Sequence, residues 1–397
     1  MKRFSGRVRA SGILKILFFM SYVGLVVWAV PSARQFLRYQ VFSLFGGAPG
    51  VFHANPEDLP LSLFQPESLL VLESHMPERP RFETIEFHGH IGSGPFAEMP
   101  EDLPQRMQAF HIRTFVNLSL FTTTHKAYVE LKNRSGNNPN VLHFVGLNWG
   151  HLKQTDFGQA MAQDLEQIAR EGAKGVKLWK NFGLKEKTPD GKLLAMDDPR
   201  LDPVWDVCAK YKLLVAIHTA DPPAFFRPVD GKNERFDELA RRPEWSFNSP
   251  ELPTFPEILA QRNRLFERRP DVRFVALHFG ELAHDLKQAD QLLVRHPNVT
   301  VDIAQRIDEL GRQPRAARAF ILKHQDRILF GTDNTDGLKD LEKVRIYWRF
   351  LETADEYFDY HSAGKSRKGL WKIYGLELPD NVLEKIYYGN AARLLGI

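Results

Sequence analysis

Residues 84–90 read Thr84-Ile85-Glu86-Phe87-His88-Gly89-His90. A short β-rich run ends in two histidines one residue apart. Alternate residues on a strand project to the same side, so both imidazoles can reach one cation. The pattern recurs downstream: Val215-Ala216-Ile217-His218, Val275-Ala276-Leu277-His278 and Leu329-Phe330-Gly331-Thr332-Asp333 each carry an apolar run into a metal-ligand type. A lone histidine after a strand is ordinarily a hydrogen-bonded structural residue. The recurrence turns the reading toward one shared site.

Working outward, β-rich runs at 84–88, 114–118, 141–147, 175–178, 213–218, 273–278, 299–303 and 327–331 alternate with longer amphipathic stretches. In 159–170, for instance, Met161, Leu165, Ile168 and Ala169 recur at helical spacing. Eight such βα units predict an α/β fold, a closed (β/α)8 TIM barrel spanning 82–397. Its strand ends converge on one mouth, which lets residues as distant as His88 and Asp333 share a metal. A doubly wound open sheet is the alternative, but no G-x-G-x-x-G follows the first strand. The segment from 219 to about 254, with several prolines and the charged run 232–238, reads as a lid or specificity element.

Upstream, Lys2, Arg3, Arg7, Arg9 and Lys15 precede the uncharged run 16–30. That arrangement lacks the polar stripe of a globular helix and reads as an export signal. Ala29-Val30-Pro31 and Val30-Pro31-Ser32 make poor cleavage sites, so 1–33 is expected to be an uncleaved signal anchor or transmembrane segment. The positive-inside rule then puts the rest of the chain outside the cytoplasm, on the periplasmic or extracellular side. The proline-rich stretch 34–81 reads as a linker packing on the domain.

The 53 basic and 49 acidic residues leave a net charge of +4, and the cations are spread along the chain. Nucleic acid is therefore not an expected partner. Cys208 is the only cysteine, which excludes an internal disulfide and a cysteine-based zinc site.

The order His88-Gly89-His90, a strand-four lysine, His218, His278 and then Phe330-Gly331-Thr332-Asp333 resembles the amidohydrolase superfamily, particularly its amidohydrolase-related (type 2) branch. The resemblance covers 84–397 and includes the tail Tyr388-Gly389-Asn390-Ala391-Ala392-Arg393-Leu394-Leu395. It implies that His88, His90, His218 and Asp333 hold a divalent metal, commonly zinc, and that His278 supports a second metal or the substrate. Strand four offers Lys174, Lys177 and Lys180. Lys177 best matches the position that two-metal members carboxylate as a bridge; a structural role for it stays open here, and Lys174 reads as surface.

Such a ligand set lowers the pKa of bound water from 15.7 toward about 7. Asp333 is then expected to move the proton, and His278 to steady the developing oxyanion or the substrate. Zinc is the first choice on ligand type, as one or two ions, though iron, manganese and nickel also suit imidazole and carboxylate. Lys180, Arg227 and Arg306 are candidate contacts for an anionic small-molecule substrate, with Arg235 in the same insertion, and surface salt bridging is the competing reading. Phe225 and Phe226 form a wall over the metal or pin the insertion, and Asp302 is expected behind the ligands. The leading expectation is a metal-dependent hydrolase of an amide, lactone or ester-like bond. Non-oxidative decarboxylation of a carboxylate and a catalytically silent ligand-binding barrel are the alternatives.

Overall fold

The computed structural model describes residues 64, 66–93, 95–96, 98–121, 123–363 and 367–397. The anticipated anchor at 1–33 and most of the linker lie outside them. Among the described residues, no helix is long and apolar enough to cross a membrane. Residues up to 70 form a unit of their own, and its described residues contain no helix or strand.

The second unit, 71–397, carries the barrel. Its strands are β1 (Thr84–Gly89), β2 (Ile112–Asn117), β3 (Val141–Val145), β4 (Gly175–Leu178), β5 (Leu214–Ile217), β6 (Arg273–Ala276), β7 (Val299–Asp302) and β8 (Ile328–Leu329), parallel and paired in sequence order. Between β8 and β1 the ladder is short. Phe87 N–H donates to Phe330 O at 3.1 Å, and the parallel bridge Gly89 to Asn334 closes the mouth side. The barrel is thus nearly closed, as eight βα repeats require.

A helix follows each strand: α1 (Leu103–Ala109), α2 (His125–Arg134), α3 (Phe157–Arg170), α4 (Asp202–Lys210), α5 (Phe255–Arg268), α6 (Leu286–Arg295), α7 (Pro314–Lys323) and α8 (Leu341–Glu352). Their starts are set by local chemistry. Asp285 accepts the Gln288 N–H at 3.0 Å before α6, and Asp340 accepts the Lys343 N–H at 3.0 Å before α8, each satisfying a donor that the first helical turn leaves unpaired.

Strand alternation sorts the core into two clusters. Leu142, Phe144, Leu214, Ala216, Val275, Leu277 and Leu329 fill the barrel interior, while Val176, Leu178, Val215, Ile217, Phe274 and Ala276 face the helices. Ala391, Ala392 and Leu395 of the terminal helix Asn390–Leu395 join the interior cluster, and Asn390 Nδ2 donates to Ile328 O at 2.9 Å. The tail motif therefore plugs the barrel end opposite the mouth.

The 219–254 insertion is pinned to the barrel, so it forms a fixed wall in this structure. Buried Arg235 pairs with Glu238 at 2.9 Å, with Asp308 at 3.0 Å and with Glu309, and Asn233 Nδ2 donates to Ala224 O at 2.9 Å. Within the expected linker, His75 Nδ1 lies 2.6 Å from Asp355 Oδ1, and Pro77 O accepts from Arg345 Nε at 2.7 Å.

Candidate metal centre

β1 brings His88 and His90 to the mouth by an irregular route. Its register against β2 shifts between Glu86 and Gly89, so Phe87 joins the interior cluster while its neighbour His88 joins the site. A Cβ on Gly89 would lie 2.1 Å from the Phe115 ring, so this break requires glycine. Glu86 fixes the break: its carboxylate accepts the His88 N–H at 3.0 Å, the Thr332 N–H at 2.9 Å and the Thr332 hydroxyl at 2.8 Å, tying β1 to the loop after β8. Burial raises its pKa to about 7 against those hydrogen bonds.

The other ligand types stand just past their strands. His218 follows β5 in the inward phase of Ala216. His278 and Asp333 lie in loops with left-handed backbones, φ 54° each. Residues 278–281 form a left-handed turn with φ of 54°, 58°, 61° and 59°. Three of the four are not glycine, and such residues cost roughly 1–2 kcal/mol each in this conformation. Side chains from three other places hold the turn: Asp302 Oδ1 accepts the His278 N–H at 2.5 Å, Arg262 Nη1 donates to Gly280 O at 2.6 Å, and Glu281 pairs with Arg306 Nη2 at 2.5 Å.

The imidazoles are oriented from behind. His88 Nδ1 lies 2.6 Å from Asp302 Oδ2, and His278 Nδ1 lies 2.9 Å from Ala304 O. Each therefore turns its Nε2 inward. One ligand atom from each of His88, His278 and Asp333 lies within 4.8 Å of the others. His90 Nε2 is 3.0 Å from Asp333 Oδ1, and the His218 ring centroid is 4.2 Å from that of His278. Burial lowers the pKa of His90 to about 4 and those of His218 and His278 well below 6.5. Burial pushes Asp333 upward, but the surrounding imidazoles outweigh it and hold the carboxylate well below its usual range. Neutral imidazoles and an ionised carboxylate are the protonation states a divalent cation requires. His88 Nε2 and His218 Nε2 are buried without any hydrogen-bond partner, so the donor set fits a cation.

Lys177 projects inward between helix-facing Val176 and Leu178 and is fully buried. Its Nζ has no hydrogen-bond partner and lies 4.7 Å from the Trp179 ring centroid, and burial lowers its pKa to about 7. Trp179 Nε1 is likewise buried and unpartnered. Around it stands a column of near-parallel rings: Phe121 on Trp179 at 3.7 Å, Phe96 on Phe121 at 5.4 Å and Phe96 on His90 at 4.3 Å.

The anticipated anion contacts fall in three different places. Lys180 Nζ pairs with Asp221 at 2.6 Å, and Asp221 is 3.7 Å from His218 Nε2, so this lysine borders the cluster. Arg306 is buried behind it on Glu281. Arg227 is exposed at the end of the turn Pro223–Phe226, with no hydrogen bond or ion pair to the cluster. Phe225 is buried and packs in the helix-facing core, which pins the insertion.

Sequence reasoning passed over Glu281. Its Oε1 is buried and unpartnered, 3.9 Å from His218 Nε2, and burial raises its pKa to about 8 although Arg306 pulls the other way. The spacing His278-x-x-Glu281 was available as a signal. The left-handed turn that brings the two together was not.

The Amidohydro_2 family model, described as amidohydrolase, matches residues 85–397. No curated protein matches the chain in sequence. Among solved structures, the chain is similar to 2,6-dihydroxybenzoate decarboxylase complexed with 2,6-dihydroxybenzoate, at 16% identity and TM-score 0.51, covering 79% of this chain and 98% of that one. It is also similar to dihydroxybenzoic acid decarboxylase from Polaromonas sp. JS666 with bound manganese and 2-nitroresorcinol, at 14% and 0.51, covering 79% and 97%. A third is 5-carboxyvanillate decarboxylase from Novosphingobium aromaticivorans DSM 12444, complexed with manganese and 4-hydroxy-3-methoxy-5-nitrobenzoic acid, at 12% and 0.50, covering 82% and 100%. At these identities the likeness establishes a common fold. The family match runs from β1 to the C-terminal plug and takes in every residue of the histidine and aspartate cluster, and on that match the chain belongs to the amidohydrolase family.

Proposed function

We propose that the protein is a metal-dependent enzyme that removes a carboxyl group, non-oxidatively, from a small planar carboxylate. One observation carries the substrate class: two buried donors without partners, Lys177 Nζ and Trp179 Nε1, stand beside the histidine cluster on the wall of stacked rings formed by Phe96, Phe121 and Trp179. Buried donors need acceptors. A flat, conjugated acid supplies a face for the rings and oxygens for the donors.

His88, His90, His218 and Asp333 would hold the cation, with His278 beside it, and the bound ion would supply Lewis-acid polarisation of a substrate oxygen. Zinc and manganese both suit this donor set, and manganese accompanies two of the similar decarboxylases. The chain supplies the rest. Phe96 and Trp179 keep the substrate ring flat and limit water. As the carbon–carbon bond breaks, carbon dioxide leaves and the electron pair stays on the ring carbon. That carbon takes a proton from the site, and Glu281 Oε1, unpartnered and 3.9 Å from His218, is placed to hold it. The similar decarboxylases support this reading through the ligands they carry.

Hydrolysis is the second reading, favoured by Asp333: its side chain is 22% exposed, more than those of His88, His90 and His218, and it stays ionised, as a base acting on water must. Product analysis with the full-length protein separates the two. Released carbon dioxide and uptake of one solvent deuteron on carbon support decarboxylation, whereas solvent oxygen appearing in the product sinks it in favour of hydrolysis. We also propose that residues 1–33 tether the barrel outside the cytoplasm. Recovery of full-length protein in the soluble fraction after membrane sedimentation would contradict the tether.

A further inference from the structure

A cavity of about 240 Å³ lies beside β7 and β8, lined by Gln305, Asp308, Asp336, Lys343, Tyr360 and Lys368 among others, and no residue of the histidine cluster is in its wall. Asp308 is matched by two cations, and the carboxylates of Asp340 and Asp336 accept N–H and O–H donors. Asp308 takes Lys368 Nζ at 2.8 Å and Arg235 Nη2 at 3.0 Å. Asp340 accepts the Lys343 N–H at 3.0 Å and the Ser362 hydroxyl at 2.8 Å, and Asp336 accepts the Lys339 N–H at 3.0 Å.

Lys343 differs. Its Nζ donates to a neutral acceptor, the backbone carbonyl of Asp333, at 2.8 Å, and among the described residues it forms no salt bridge. An ammonium carries three N–H donors, so two are left for the cavity that Lys343 lines. A half-buried ammonium with unmatched donors at the wall of a partly open cavity is a receptor for an anion. The buried side chains of Tyr347 and Tyr360 add apolar faces to the same wall.

We propose that this cavity binds a small carboxylate or phosphate anion through Lys343, and that its occupancy is felt at Asp333 through the bond Lys343 makes to the Asp333 carbonyl. An anion that draws the ammonium into the cavity weakens that bond. It thereby loosens a residue held in a left-handed conformation at the edge of the metal cluster. The inference does not depend on which bond the enzyme breaks.

The test titrates full-length protein calorimetrically with benzoate, succinate and inorganic phosphate, alongside Lys343→Met and Lys343→Arg. Zinc affinity, read by competition with a chromophoric chelator, is measured with and without each anion. Binding to the wild type is expected, weakened about tenfold or more in Lys343→Met and largely kept in Lys343→Arg, with zinc affinity shifting when the anion is present. Thr335→Phe, on the exposed rim, is expected to block binding without disturbing the buried pairs, and serves if Lys343→Met does not fold. A response that Lys343→Met weakens supports the site and gives the ligand class, an organic acid if it comes from benzoate or succinate and a phosphate if it comes from phosphate; a response that folded Lys343→Met leaves unchanged is binding elsewhere, the catalytic centre included. If none of the three anions binds, or affinity is the same in folded Lys343→Met, the proposal is overturned.

Discussion

Asp302 holds two histidines of the site at once: its Oδ2 lies 2.6 Å from His88 Nδ1, and its Oδ1 accepts the backbone N–H of His278 at 2.5 Å. One side chain at the end of β7 thus sets the ring of a β1 residue and the start of the left-handed turn after β6. Partners of this kind typically contribute 10- to 100-fold to metal affinity. Asp302→Ala is expected to weaken zinc or manganese binding by about that factor in chelator competition. Unchanged affinity would show that the histidines hold their orientation unaided.

Asp333 combines an ionised carboxylate, contact with His90 and access to solvent. Asp333→Asn keeps the shape and removes the charge, and proton-transfer groups contribute roughly 10²–10⁴-fold to rate. The expected result is a fall in kcat of that order on any substrate the wild type turns over, with part of the metal retained. Activity within a few-fold of wild type would remove Asp333 from the chemistry.

Lys177 is fully buried with an unpartnered amine. On the proposed reading it remains an unmodified lysine and the centre takes one cation. Elemental mass spectrometry of purified full-length protein is expected to give about one metal per chain, and Lys177→Met to raise KM while leaving that ratio in place. Two metals per chain, falling to one or none in Lys177→Met, would instead mark a carboxylated, bridging lysine.

His143 provides a pH-dependent test away from the cluster. It is buried, with Nδ1 3.1 Å from Asn117 Nδ2 and Nε2 3.0 Å from the Ser135 hydroxyl, and burial lowers its pKa from 6.5 to about 4. The unfolded chain therefore takes up a proton first as pH falls. The stabilisation is complete above 6.5 and declines between 6.5 and about 4, by up to about 3 kcal/mol for a shift of this size. Urea unfolding across that range should show wild-type stability dropping more steeply than that of His143→Gln. Parallel slopes would refute this assignment.

Arg235 anchors the 219–254 wall to Asp308 and Glu309 and braces it internally through Glu238. Removing one partner of a buried ionic group leaves the others uncompensated, at about 3–5 kcal/mol. Arg235→Met is expected to lower stability by about that amount in denaturant titration, and limited proteolysis should then cut first within 219–254. A stable variant with an intact insertion would show that Asn233 and the aromatic contacts suffice.

The sequence by itself determined the barrel and picked out the histidines and the aspartate that meet at its mouth. Strand alternation is a local property, so Ala216 facing inward and Ile217 outward already dictate that His218 points to the mouth, and the same phase puts Lys177 inside. Eight apolar runs at βα spacing leave few other ways to bury them. The tertiary structure alone decided what happens where the ladders stop. Observed β6 ends at Ala276 and β8 at Leu329, so His278 and Asp333 are aimed by left-handed turns and not by strand phase. Nothing local favours those backbones. They persist because Asp302, Arg306 and Lys343, from other parts of the chain, bond to them. Glu281 beside His218, the ring column beside Lys177 and the Lys343 cavity arise the same way: their parts are distant in sequence, and only closure of the barrel brings them within hydrogen-bonding and packing distance.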